Sequence, residues 1–290
     1  MKVLKALSAC CLLLSSMACS NDDFTADTST AFQVVSSIAP VSRAPQFNSD
    51  GSGNFVKGDV NTLFFHNGEQ QLLSAFDYTY GSFYYWADVQ LPHGVTDCLV
   101  SACYPQVVTK TPEHFEWNVL EAQPTADILV AAPTRVTAYA SPTIRLSFSH
   151  LLHQLAVELQ PGDESVSADV LSQAVVECRG FQPVAVLNLL EGRTLSATGH
   201  TATLTRQGDA TRFMIPAQPA GVIEVVVKLE GRSATFKLAE SQLNGMNLQQ
   251  LESGKTLTLK IKVNKNSFTI VGQNISGWGS QGEFDDSIMI

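Results

Sequence analysis

The sequence predicts an all-β protein with two sandwich-type domains. Two observations carry that expectation. Short apolar runs of period two, separated by Gly, Pro, Asn and Asp turn signals, recur from residue 32 to residue 271. The chain has 290 residues, and the roughly 270 left after an export leader exceed one small sandwich and suit two domains of ordinary size.

Met1 to Cys19 reads as a targeting segment. Lys2 and Lys5 form a positive start, and the apolar stretch through Leu14 is too short to span a bilayer. Ser15-Ser16-Met17-Ala18 sets small residues before Cys19, the arrangement a lipoprotein signal peptidase reads. Residues 1–18 are expected to leave, and Cys19 to carry acyl chains, each buried CH₂ contributing about 0.8 kcal/mol of anchoring. An ordinary secretory signal cleaved near Ala18 is the alternative, but the polar Ser20-Asn21-Asp22-Asp23 suits a lipid tether. Loss of Lys2 and Lys5 takes the net charge from −9 to −11. Such an acidic body carries no footprint for nucleic acid or an anionic membrane. No later apolar stretch reaches membrane length, so the body is expected to be soluble and outside the cytoplasm.

Cys19, Cys98, Cys103 and Cys178 survive the leader. With Cys19 lipidated an odd number remains, and Cys98 and Cys103 on one strand would face opposite sides, roughly 16 Å apart. Buried free thiols are expected.

After the polar tether, Phe32 to Ile38 is a first strand. Pro40, Pro45 and Asn48 to Asn54 make a long turn-rich stretch around Arg43. Val60–Phe65, Phe83–Leu91, Cys98–Tyr104, Phe115–Trp117, Ile128–Ala132 and Thr143–Phe148 follow as strands. His150 to Leu159 fits either a strand or an amphipathic helix. Pro161-Gly162-Asp163-Glu164-Ser165 breaks both periods and is the expected domain boundary. Strands then resume at Ala174–Cys178, Val184–Leu189, Thr201–Thr205, Arg212–Ile215, Val222–Leu229 and Ala234–Leu238. Glu240 to Leu251 is the expected helix or helical turn. Leu257, Leu259, Ile261 and Val263 alternate with polar residues, as in a strand with one wet face. Ser267–Val271 and the tail Phe284–Ile290 close the chain.

Four places resemble the fimbrillin family. Ser42-Arg43-Ala44 followed by Gly58-Asp59-Val60 resembles the entry into its first domain. Asp127 to Ala131 with Ile144 to Leu152 resembles its mid-chain signature, Ser253 to Ile261 its late strand, and Ile275-Ser276-Gly277-Trp278 the close of its second domain. Their order and spacing cover nearly all of residues 19–290.

The resemblance implies two tandem transthyretin-like β-sandwiches, at 46–162 and 163–290, after a tether and leader strand at 19–45. It implies an outer-membrane lipoprotein of Bacteroidales-type bacteria, lipidated at Cys19. In polymerising members an arginine-specific protease removes the first strand, and a neighbouring subunit's strand fills the groove. Here Arg43-Ala44 matches the cut. Phe32, Val34, Ser36 and Ile38 then form the removable strand, with Phe32, Val34 and Ile38 pointing into the core. The tail Phe284–Ile290 is a second candidate, a donor whose Ile288 and Ile290 fill pockets, although Asp285 and Asp286 count against it. The plain reading of the same residues is two ordinary edge strands and a loop arginine.

Chemical motifs are sparse. There is no Gly-x-Ser-x-Gly elbow, no His-Glu-x-x-His and no phosphate-binding glycine loop. His150 and His153 lack a third ligand at a recognisable spacing and read as structural. His66, His93, His114 and His200 read as surface residues, and no metal, cofactor or catalytic residue is expected. In the run Tyr78 to Trp86, Phe83 and Tyr85 are assigned to the core, and Tyr84 and Trp86 are candidate adhesive aromatics. The expected function is a fimbrial subunit or adhesin, with other subunits and a host or bacterial surface ligand as partners. A monomeric glycan- or protein-binding surface lipoprotein is the alternative.

Overall fold

A computed structural model describes residues 30–38, 55–122, 127–240, 242–243 and 246–277. Within them nearly all regular structure is strand. The first sheet takes β1 (Ala31–Ile38), β2 (Val60–His66), β3 (Leu72–Thr79), β4 (Tyr84–Tyr85), β5 (Asp97–Tyr104), β7 (Leu129–Thr137) and β8 (Thr143–His150). Its order is β3-β2-β5-β7-β8-β1-β4. Most neighbours are antiparallel, but β1 runs parallel to β8, with Gln33 opposite Thr143 and Ile38 opposite Phe148.

Alternation explains how this sheet is buried. Leu63, Phe65, Val100, Ala102, Leu129 and Ala131 point into a first core, shared with Phe32, Val34, Ile38 and Trp86. Their odd-even neighbours Phe64, Cys103 and Val130 join a second core formed mainly by the C-terminal strands. The middle of the sheet is therefore covered on both faces, which is why Leu63-Phe64-Phe65 is apolar without a break.

The second group uses three small sheets. One is β14 (Ala210–Pro216), β9 (Leu152–Pro161), β21 (Lys255–Val263) and β22 (Phe268–Gly277), in that order. Another is β13 (Ala202–Gln207), β10 (Val175–Phe181), β16 (Glu224–Leu229) and β17 (Arg232–Lys237). The third is β12 (Arg193–Thr198), β11 (Val184–Asn188) and β6 (Phe115–Asn118). Two-residue ladders join β15 (Gln218–Pro219) to β20 (Gln250–Leu251), and β18 (Gln242–Leu243) to β19 (Met246–Asn247).

Several expectations change. His150 to Leu159 resolves as strand: β8 ends at His150 and β9 pairs with β14 and, in parallel, with β21. The change of sheet falls at Leu151, and β9 ends at Pro161. Among the described residues of the expected helix or helical turn at Glu240–Leu251 there is no α-helix. A 3₁₀ turn at Leu238–Glu240 leads into the short ladders, and Asn244-Gly245 between β18 and β19 is a strong two-residue hairpin signal in the sequence. The strand expected at Phe83–Leu91 stops after Tyr85, where a helical turn, α1 (Trp86–Val89), begins. Strands β3 and β12 were not expected.

Candidate functional site

Strand β1 occupies a groove near one end of the first sheet. Phe32, Val34 and Ile38 are buried there, while Ala31, Gln33, Val35 and Ser37 face outward. At about 1.5–3 kcal/mol per fully buried apolar side chain, the three contribute roughly 5–9 kcal/mol. On one side β1 pairs with residues 143–148 of β8. On the other it meets β4 only at Ala31–Tyr85 and Phe32–Tyr84.

The floor is aromatic. The period of two along β3 sends Phe76, Tyr78 and, just beyond it, Tyr80 to the core side. The Phe32 ring lies 6.2 Å from Phe76, 6.3 Å from Tyr78, 6.5 Å from Tyr84 and 5.2 Å from Trp86, measured between centroids. Such pairs add to simple burial.

Two tyrosine hydroxyls reach β1 itself. The Val34 N–H donates to the Tyr78 hydroxyl at 3.2 Å. Ser36 Oγ and the Tyr80 hydroxyl share a short hydrogen bond. The Asn61 side-chain amide donates to the same Tyr80 oxygen at 3.2 Å. Asn61 is fully buried, and its Oδ1 has no hydrogen-bond partner among the described residues. Burial pushes ionisation of Tyr80 well above the usual phenol range, so its hydroxyl keeps its proton.

Other candidate residues are placed differently. Cys19, Arg43, Ala44, Ile288 and Ile290 lie outside the described residues. Trp86 is corrected from an adhesive candidate to a core residue: it is 0% exposed, and its indole N–H donates to the Ser141 carbonyl. Tyr84 is half-buried, and its hydroxyl accepts the Thr79 N–H at 3.2 Å. Phe83 and Tyr85, expected in the core, are 93% and 48% exposed. Burial alternates from Phe83 to Trp86, and the α1 turn then shifts the phase, so that Tyr84 and Trp86 face inward on one parity and Val89 and Leu91 on the other.

The histidines divide in the same way. His66 is buried at the end of β2, not on the surface, and burial lowers its pKa. His150 Nδ1 lies 2.7 Å from Asp127 Oδ2, and His153 Nδ1 lies 2.9 Å from the Glu252 carbonyl. They do not converge. Among the described residues no three His, Cys, Asp or Glu side chains form a candidate metal cluster, and no helix is long and apolar enough to cross a membrane. Cys98, Cys103 and Cys178 are buried free thiols. Sequence reasoning missed Tyr78, Tyr80 and Asn61 as groove residues. The period-two aromatics Phe76, Tyr78 and Tyr80 were the available signal.

The geometry defines an all-β sandwich protein whose first described strand lies in an aromatic groove, parallel to β8. The fimbrillin-like family matches residues 48–278, and the chain belongs to that family. Among solved structures, a candidate cell adhesion protein from Bacteroides uniformis aligns with a TM-score of 0.63 and 15% identity, over 77% of this chain and 93% of that one. One from Bacteroides ovatus gives 0.61 and 16%, over 87% and 98%. One from Bacteroides thetaiotaomicron gives 0.50 and 14%, over 80% and 92%. At these identities the likeness is one of fold. No curated protein matches the chain.

Proposed function

We propose that the protein is a non-catalytic fimbrial subunit or adhesin, held at the cell surface by lipid on Cys19 and assembled by protease-triggered strand exchange. Cleavage after Arg43 releases β1, and a strand from a neighbouring subunit takes its place. The observation that carries this reading is the lodging of β1. Its three apolar side chains fill the core, yet its outer edge is paired over only two residues. Removing such a strand exposes apolar pockets beside a row of unpaired N–H and C=O groups, a template for strand addition.

The test treats the purified full chain with an arginine-specific protease. A new N-terminus at Ala44 and a heat-stable ladder of oligomers on a gel are expected. An N-terminus found only at Cys19, or a cut chain that stays monomeric, overturns the proposal.

The exposed ring of Phe83 beside half-exposed Tyr85 favours a second reading, a monomeric surface lipoprotein that binds glycan or protein. Glycan affinity in the uncut monomer, lost on Phe83→Ala, would favour it.

A further inference from the structure

Strand β12 ends its sheet, with β11 as its one ladder neighbour among the described residues. A cleft of about 450 Å³ opens between β12 and the β15–β20 ladder, lined by residues 194–197, 217–219, 250, 252 and 253 and by Gln182. That volume lies in the range of small-molecule sites, roughly 300–1,000 Å³. We infer that this cleft binds a neutral saccharide, at a place that involves neither β1 nor Phe83.

The walls are held by side chains that are already fully engaged. Gln218 is buried, and its Nε2 donates to the carbonyls of Gln182 at 3.1 Å and Pro216 at 3.0 Å. Its Oε1 accepts the Gln182 N–H at 2.8 Å. Thr194 and Ser253 both donate their hydroxyl protons to the Leu151 carbonyl, at 2.9 and 2.7 Å. β12 is thereby tied to the segment after β20, and the cleft has its shape before any ligand arrives.

Those same bonds decide the chemistry on offer. With their protons committed to Leu151, the Thr194 and Ser253 oxygens present only lone pairs to the cleft. Glu252 is exposed and adds a carboxylate. The side chains of Glu252, Gln182 and Ser196 make no hydrogen bond of their own among the described residues. No Lys, Arg or His lines the cleft. A phosphate or carboxylate ligand would meet acceptors and a like charge there. A hydroxyl-rich neutral ligand supplies the missing O–H donors, and its oxygens accept from the Gln182 amide and the Ser196 hydroxyl. Ala197, Ala217 and Pro219 give apolar ground for the C–H face of a sugar ring.

An extended peptide added to the edge of β12 is the competing occupant. The β11–β12 register shifts between Val186 and Leu187, leaving Leu195 as an extra residue on β12, so that edge offers no regular ladder. The Thr194 and Ser253 oxygens, 3.3 Å apart, also bring the walls together and deny a strand a through passage.

The test titrates the full chain with lactose, maltotriose, mannotriose and chitotriose, read by saturation-transfer NMR and calorimetry. Sialyllactose and a Thr-Val repeat peptide are the comparisons. At least one neutral sugar is expected to bind with a dissociation constant of about 1 mM or lower, unchanged by added salt because no ion pair forms. Glu252→Ala and Gln182→Ala should each weaken it about tenfold, with urea midpoints unmoved, and Phe83→Ala should leave it intact. Binding lost on Phe83→Ala and kept in both cleft variants overturns the cleft and leaves the Phe83 reading standing. Failure of all four neutral sugars overturns the inference, as does preference for sialyllactose over lactose or for the peptide over every sugar. None of these results bears on strand exchange, which the protease experiment decides by itself.

Discussion

The indole N–H of Trp86 donates to the carbonyl oxygen of Ser141 at 3.0 Å, tying the turn after β4 to the turn between β7 and β8. The same indole packs 5.2 Å from the Phe32 ring and 5.9 Å from Phe65. Trp86→Ala is expected to cost about 3–5 kcal/mol of folding stability. Trp86→Phe should cost less, since it keeps most of the ring contacts and loses the bond to Ser141. Urea unfolding measures both, and an unchanged midpoint for the alanine variant would remove Trp86 from the core.

The parity of β1 gives a paired prediction. Phe32→Ala should destabilise the chain by about 3–5 kcal/mol, whereas Val35→Ala, on the outward face, should stay within about 0.5 kcal/mol. Similar losses at both positions would mean that β1 is not seated as described.

His153 makes stability depend on pH. Its Nδ1–H donates to the Glu252 carbonyl, leaving a buried Nε2 with no partner among the described residues. Burial pushes its pKa down from 6.5 to about 4. Above pH 6.5 both folded and unfolded chains hold it neutral, so it contributes no pH dependence. Between pH 6.5 and 4 the unfolded chain takes up the proton first, and stability falls by up to about 3 kcal/mol. His66, shifted in the same direction, adds to the slope. Denaturant midpoints at pH 7, 5 and 4 should fall in that order, and His153→Leu should flatten the curve. A curve unchanged by that variant would rule out His153 as the source.

Three thiols should be silent in the folded chain. Burial pushes Cys98 up to about 11 and Cys178 to about 12, and raises Cys103 further. Thiolate is the reactive form, so alkylation at pH 8 should be slow at all three and complete only in denaturant. Rapid labelling of any one in native protein would contradict its burial.

The sequence made β1, β8 and β21 legible because each has one buried and one wet face, so alternation survives in the residue order. The inward face of β1 followed from that alternation, together with the fimbrillin resemblance that marked it as a leader. The rest was hidden for physical reasons. Strand β12 (Arg193–Thr198) has no fully buried residue, so nothing in it had to be apolar. His66 ends a strand buried on both faces, where period two gives no warning of burial. Tyr84 to Trp86 misled because the helical turn Trp86–Val89 shifts the phase: Val89 and Leu91 are buried on the odd positions, whereas before the turn the even positions Tyr84 and Trp86 face inward. The Tyr78–Val34 contact joins residues far apart in sequence and depends on how the sheet curls, which no local pattern records.

Strand β8 borrows half of its order from a segment that is proposed to leave. β7 pairs with it only from Phe148 to His150, so among the described residues Thr143 to Ser147 have β1 as their one ladder neighbour. Loss of the leader would leave those five residues without a ladder neighbour among the described residues, held at one end by the turn that Trp86 ties down and at the other by the pairing of Phe148–His150 with β7. The vacated state would then be a short-lived, sticky species, and timing becomes the matter to control. On the proposed reading, a chain that travels with its own strand in place would be shielded from clumping on the way, and would become ready to join only where both the protease and the next subunit are waiting.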